Sequence, residues 1–131
     1  MRIELTLLGG TLILALFQIF IAGYLRTRQY GKSWNVGARD AHMPPLDPLP
    51  ARMLRAQANL FETLPLFIGA VLACAVVNRF SLKSEIGAHL YFWGRLIYVP
   101  LYASGVPVIR TIVWTIATIG LLLVIASFML G

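Results

Sequence analysis

Residues 52–67 read RMLRAQANLFETLPLF, and this stretch decides the fold. It sets two arginines, an asparagine and a glutamate into a run otherwise apolar enough to cross a bilayer. A charge at the centre of a membrane helix costs roughly 2.5–3.5 kcal/mol on insertion scales, so such groups normally have partners and a task. Arg52, Arg55, Asn59 and Glu62 are spaced by 3, 4 and 3 residues. At about 100° per residue they fall within an arc of roughly 80° on one helix face. That face is a polar stripe directed at something other than lipid.

The chain around this stretch has the composition of an integral membrane protein. Of its 131 residues, 59% are hydrophobic and only 12% are charged, and the mean hydropathy is +0.79. A soluble domain carries about a quarter charged residues. Four apolar stretches predict membrane helices over 5–25, 51–77, 85–103 and 107–130, each close to the length that a hydrocarbon core of about 30 Å requires. The expectation is an all-α, integral membrane four-helix bundle, with residues 1–131 forming one transmembrane domain. The first stretch is too long for a signal-peptide core, and Glu4 stands among its leading residues, so it reads as a retained span.

The net charge of +6 is distributed beside the spans. Arg26, Arg28, Lys32, Arg39 and Arg52 lie between the first two, and Arg110 between the last two, against Arg2, Arg79 and Lys83 on the opposite side. By the positive-inside rule, loops 26–50 and 103–107 face the cytoplasm and both termini face away from it. This placement argues for a membrane surface and against nucleic acid as the partner of the positive charge.

Prolines punctuate the rest. Pro44, Pro45, Pro48 and Pro50 rule out a continuous helix through residues 33–51, and the second span is expected to start near Pro50 or Ala51. Pro65 frees the carbonyl of Phe61 and predicts a kink beside Glu62. A second stripe lies on the third span, where Tyr91, Arg95, Tyr98 and Tyr102 are spaced by 4, 3 and 4 residues. Pro107 marks the next helix start and puts Arg110 in its first turn, where free amides already favour an anion. Cys74, the single cysteine, falls mid-span without a disulfide partner and reads as a packing residue. Trp34, Trp93 and Trp114 read as interface anchors or packing residues. His42 and His89 lack the spacing of a metal site, and no metal is expected.

Depth brings these groups together. Arg52 and Arg55 begin the second span at its cytoplasmic end, with Asn59 and Glu62 roughly 5–15 Å deeper. The third span runs back toward that side, so Tyr98 and Tyr102 lie in its inner half and Arg95 one turn deeper, and Arg110 opens the fourth span there. Guanidinium groups outnumber the single carboxylate. Such a set suits a ligand with more than one anionic group and one cationic group: arginine grips carboxylates, Glu62 takes an ammonium, and Asn59 serves amides.

The run RAQANLFETLPLF from Arg55 resembles the R-A-x-x-N-x-x-E-x-x-P signature of the membrane-associated proteins in eicosanoid and glutathione metabolism, the MAPEG family. It is most similar to the leukotriene-synthase branch and to the microsomal glutathione transferases. The resemblance extends to WGRLIYVPLY at 93–102, to VIRT at 108–111 and to the basic end of the first span at Leu25–Arg28. It implies a homotrimer of four-helix bundles that holds glutathione between subunits as cosubstrate. It also implies glutathione contacts from Arg55, Gln57, Asn59, Glu62, Arg95, Tyr98 and Tyr102, with weaker candidates in Arg26 and Arg52, and thiolate stabilisation by Arg110. The acceptor would be a lipophilic electrophile or hydroperoxide arriving through the bilayer. Tyr98 stands where the prostaglandin-synthase branch has histidine, which favours conjugation or peroxide reduction over isomerisation. Two other functions compete. A non-catalytic lipid-binding or scaffold protein of the same fold would keep the stripe without turnover. A small multidrug transporter would use Glu62 as a proton carrier, against which the surplus of arginine repels cationic cargo.

Overall fold

The computed structural model describes residues 1–131 and is all-helical. Its elements are α1 (Ile3–Tyr30), α2 (Lys32–Val36), α3 (Pro48–Val77), α4 (Leu82–Ala103) and α5 (Val108–Leu130). Three of them, α1, α3 and α5, are long and apolar enough to cross a membrane. The expectation of four such helices is therefore met by three; α4 has 22 residues but carries Lys83, Glu85, His89 and Arg95, which dilute its apolar character.

Contacts between helix ends fix the directions. Ser84 near the start of α4 hydrogen-bonds Glu4 at the start of α1. Arg79, between α3 and α4, donates to the carbonyls of Phe128 and Met129 at the end of α5. At the other end, Arg52 of α3 reaches the Ala103 carbonyl closing α4, and Arg110 of α5 reaches Tyr98. Consecutive long helices thus run antiparallel, as the short α3–α4 and α4–α5 connections require.

Several boundaries differ from the sequence reading. α1 continues to Tyr30 rather than stopping near residue 25, because its last residues are polar but compatible with helix, and hydropathy marks only the apolar part. The supposed continuous loop contains the five-residue α2. Its remainder is tied to α1 through Asp47 N donating to Gln29 Oε1 at 2.8 Å and Gln29 Nε2 donating to the Pro45 carbonyl at 3.2 Å. α3 starts at Pro48, two residues before the expected proline, and continues through Pro65 to Asn78, which ends it in the left-handed region at φ +55°. α4 begins earlier than expected because Ser81 and Ser84 form a capping box.

Packing is tightest between α4 and α5, where small residues let the backbones meet. A methyl group on Gly87 would lie 2.4 Å from the Gly120 carbonyl oxygen, and one on Gly94 would lie 2.9 Å from Ala117 Cβ. Without a hydrophobic drive between helices in lipid, such close van der Waals contact is one source of cohesion, with interhelical hydrogen bonds another. The main core joins Leu60, Phe67 and Val71 of α3 with Tyr91 of α4, Leu121 and Val124 of α5, and Leu7 and Ala15 of α1. Phe67 stacks on Tyr91 with ring centroids 4.2 Å apart. Cys74 is fully buried there, its thiol 3.6 Å from the Val124 carbonyl, in keeping with a packing role. The outer faces expose Ile13, Phe17 and Phe20 of α1 and Ile112, Ile116 and Ile119 of α5, a surface suited to lipid.

Candidate functional site

On α3 the residues turned to the core are Met53, Ala56, Leu60, Leu64 and Phe67. The stripe of Arg52, Arg55, Asn59 and Glu62 is centred roughly 120° around the helix from them, by the turn per residue. It therefore flanks the core and looks outward. Arg55 and Glu62 are exposed, and Arg52, Gln57 and Asn59 are half-buried.

The structure brings three arginines to one cleft. Arg52, Arg55 and Arg110 line a space of about 190 Å³ with Tyr102, Gly105 and Pro107, where α3, α4 and α5 meet at their basic ends. Each guanidinium is seated on its surroundings. Arg52 donates to the Ala103 carbonyl at 3.3 Å. Arg55 Nε donates to the Tyr102 hydroxyl at 3.1 Å. Arg110 lies over the Tyr102 ring at 4.7 Å from its centroid, with Nη1 3.5 Å from the Tyr98 hydroxyl. Tyr98 and Tyr102 meet edge to face at 5.5 Å, so one aromatic step links Arg110 to the deeper Arg95, which stacks on Tyr98 at 4.5 Å.

Arg95 is 2% exposed, and its Nη1 donates to Asn59 Oδ1 at 2.8 Å. That bond joins the two stripes recognised in the sequence. Its Nε and Nη2 have no partner. A buried cationic donor left unmatched is costly, which marks this as a place where another polar group belongs.

No carboxylate forms an ion pair with these cations. The chain's one ion pair joins Arg2 to Glu4 at 3.2 Å, at the opposite end. Glu62 pairs with neither Arg55 nor Arg95, and the Gln57 side chain, in the interior of α3, is half-buried. Tyr91, the first member of the α4 stripe, lies apart from the cleft, its hydroxyl 2.8 Å from that of Thr63. Arg26 is also apart. Its guanidinium sits over Trp34 at 5.3 Å from the ring centroid, in a groove formed by α1 and the segment after it.

Gly105 joins the cleft without a signal in the spacing of the stripes, and Gln18 stands out elsewhere as a buried polar group. Gly105 turns the chain at φ +76°, and a Cβ there would lie 3.0 Å from the Arg52 guanidinium carbon, so glycine both permits the turn and leaves room for the arginine. Gln18 of α1 is 1% exposed with both amide atoms unpartnered. Its signal was a lone carboxamide in an uncharged span.

The arrangement is a cation-rich, carboxylate-free cleft at one end of a bundle of membrane helices, with tyrosines and a buried arginine leading inward. The sequence model of the MAPEG family matches residues 5–130, and the chain belongs to that family of membrane proteins. No curated protein and no solved structure matches it.

Proposed function

We propose that the protein is a glutathione-dependent transferase or peroxidase acting on lipophilic electrophiles or hydroperoxides. The observation that carries this reading is the cleft of Arg52, Arg55 and Arg110 without a lining carboxylate, with an exposed Glu62 that forms no ion pair about 10 Å further along α3. Glutathione has two carboxylates, one ammonium, peptide amides and a thiol, and each finds a complement in this set. The arginines receive the carboxylates, Glu62 the ammonium, and Asn59 and Gln57 the amides.

The chemistry asked of the chain is modest. The thiolate is the reactive nucleophile, and a neighbouring cation favours it over the thiol. Arg110, held against Tyr102 and Tyr98, is the cation assigned to that sulfur. The thiol proton leaves to solvent, the sulfur forms a bond to the electrophilic carbon, and the leaving group departs with its electron pair. With a hydroperoxide, two glutathiones are oxidised to the disulfide while the peroxide is reduced to alcohol and water.

The outward direction of the stripe supports assembly. Arg55 and Glu62 exposed at bilayer depth require a polar neighbour, and a second copy presenting its own face supplies one. A homotrimer with the cosubstrate between subunits meets this need. α4 is taken as the fourth crossing: it is about 33 Å long at 1.5 Å per residue, and it lies against α3 and α5. The basic cleft is placed on the cytoplasmic side.

Conjugation of glutathione to a halonitrobenzene by purified protein in lipid tests the activity. Turnover that saturates in glutathione is the expected result. Binding of glutathione without turnover over a broad electrophile panel would instead favour a non-catalytic lipid-binding or scaffold protein.

A further inference from the structure

The basic end of α1 carries cations that the cleft does not use. α1 has 28 residues, about 42 Å at 1.5 Å per residue, against a hydrocarbon core of about 30 Å. Its last turns therefore stand in the headgroup layer. There the charges begin, with Arg26 and Arg28, followed by Lys32 and Arg39 on the next segment.

An open groove of about 440 Å³ crosses this boundary. Toward the bilayer centre it is lined by Ile19, Phe20 and Tyr24, which are 40%, 64% and 60% exposed. At its polar end stand Arg26, Asn35 and Arg39. The two arginines share Trp34, Arg26 at 5.3 Å and Arg39 at 4.5 Å from its ring centroid. Arg39 is held by Asn35, whose side-chain oxygen accepts from Nη2 at 2.6 Å and whose carbonyl accepts from Nε at 3.3 Å. Its backbone adopts φ +63°, uncommon for a residue other than glycine. Arg26 Nε is buried without a partner. Asp40 follows Arg39 in sequence, is exposed and forms no ion pair.

We propose that this groove is a binding site for an anionic phospholipid of the leaflet that the basic loop faces. The lipid phosphate sits against Arg26 and Arg39, and the first part of an acyl chain lies over Phe20 and Ile19. The charge selects an anion over a zwitterionic lipid, since neither Arg26 nor Arg39 is held in an ion pair by the chain's own carboxylates. The apolar half selects a lipid over free phosphate, which would leave those side chains uncovered. The site stands independently of glutathione binding, because the groove and the cleft share no lining residue.

The test reconstitutes the full chain in mixed phosphatidylcholine and phosphatidylglycerol, then counts lipids retained on gentle extraction by native mass spectrometry. The wild type is expected to retain phosphatidylglycerol preferentially. Arg39→Gln and Arg26→Gln, with helicity checked by circular dichroism, should each reduce that preference about fivefold. Lys83→Gln at the opposite end should leave it unchanged. A second arm adds glycerol phosphate to protein in phosphatidylcholine alone, and no binding at the groove is expected. The proposal is overturned if the wild type shows no preference, if both folded arginine variants keep it, or if glycerol phosphate binds while the lipid does not. Loss of glutathione binding in Arg26→Gln with the lipid preference intact would likewise overturn it, giving Arg26 to the other site.

Discussion

Arg95 of α4 donates to Asn59 of α3 at 2.8 Å, and this one bond ties together the two polar stripes of the bundle. It also leaves two guanidinium nitrogens without a partner at a residue 2% exposed. Asn59→Ala removes the sole side-chain acceptor that Arg95 has in the chain. Hydrogen bonds to charged groups contribute about 1.5–3 kcal/mol, and a loss of that size is expected in equilibrium unfolding in detergent. Unchanged stability would show that Arg95 is satisfied elsewhere.

The proposed mechanism assigns Arg110 to the sulfur rather than to the carboxylates. Arg110→Gln is therefore expected to lower kcat by about 10²–10³, the range seen when one donor that stabilises developing charge is removed. The affinity for glutathione should change far less. Ultraviolet absorbance of the bound thiolate, compared between wild type and variant, separates the two effects. A variant that loses affinity and keeps kcat would make Arg110 a binding residue.

The α4–α5 contact gives a test of the fold that does not involve the cleft. Gly87→Ala forces a methyl group against the Gly120 backbone and should cost about 1–3 kcal/mol or more, as overpacking does. Gly9 on α1 faces open space, with nothing within 4 Å of a Cβ built there. Gly9→Ala should be neutral or stabilising by about 0.5–1 kcal/mol. Thermal unfolding in the same detergent compares them, and the reverse order would refute the packing.

At the far end, Ser84 links a fully buried Glu4 to α4, accepting from the Ser81 amide and donating to the carboxylate. Ser81 in turn meets Ser127 of α5 at 2.7 Å. Ser84→Ala leaves the Glu4 carboxylate one donor short and should destabilise the chain by about 1–3 kcal/mol. Glutathione affinity should be unchanged, because none of these residues belongs to the basic end. A parallel loss of affinity would show that the two ends are coupled.

The sequence carried much of this because a helix encodes its faces in a 3.6-residue period. The spacing of Arg52, Arg55, Asn59 and Glu62 predicted a stripe off the core. The spacing of Arg95, Tyr98 and Tyr102 predicted its neighbour, and Pro107 predicted the helix start that lifts Arg110 into the cleft. Depth followed from counting residues along antiparallel spans. What stayed hidden depends on how helices rotate and approach one another. Arg26 lies at the right depth to join Arg52, but α1 turns it toward Trp34 instead. Gly87 and Gly120 read as ordinary glycines until each is seen to face the other's carbonyl oxygen where a Cβ would stand. Hydropathy falls at Arg26, so it marks only the apolar part of α1, whereas the helix continues to Tyr30.

The central claim is that the unneutralised arginines and Glu62 hold glutathione. Equilibrium binding of glutathione to the protein in lipid nanodiscs, for the wild type, Arg55→Ala and Glu62→Gln, tests it most directly. Saturable binding that weakens at least about tenfold in each variant is expected, since each removes one charge-assisted contact. Absence of saturable binding, or equal affinity in all three proteins, would contradict the claim.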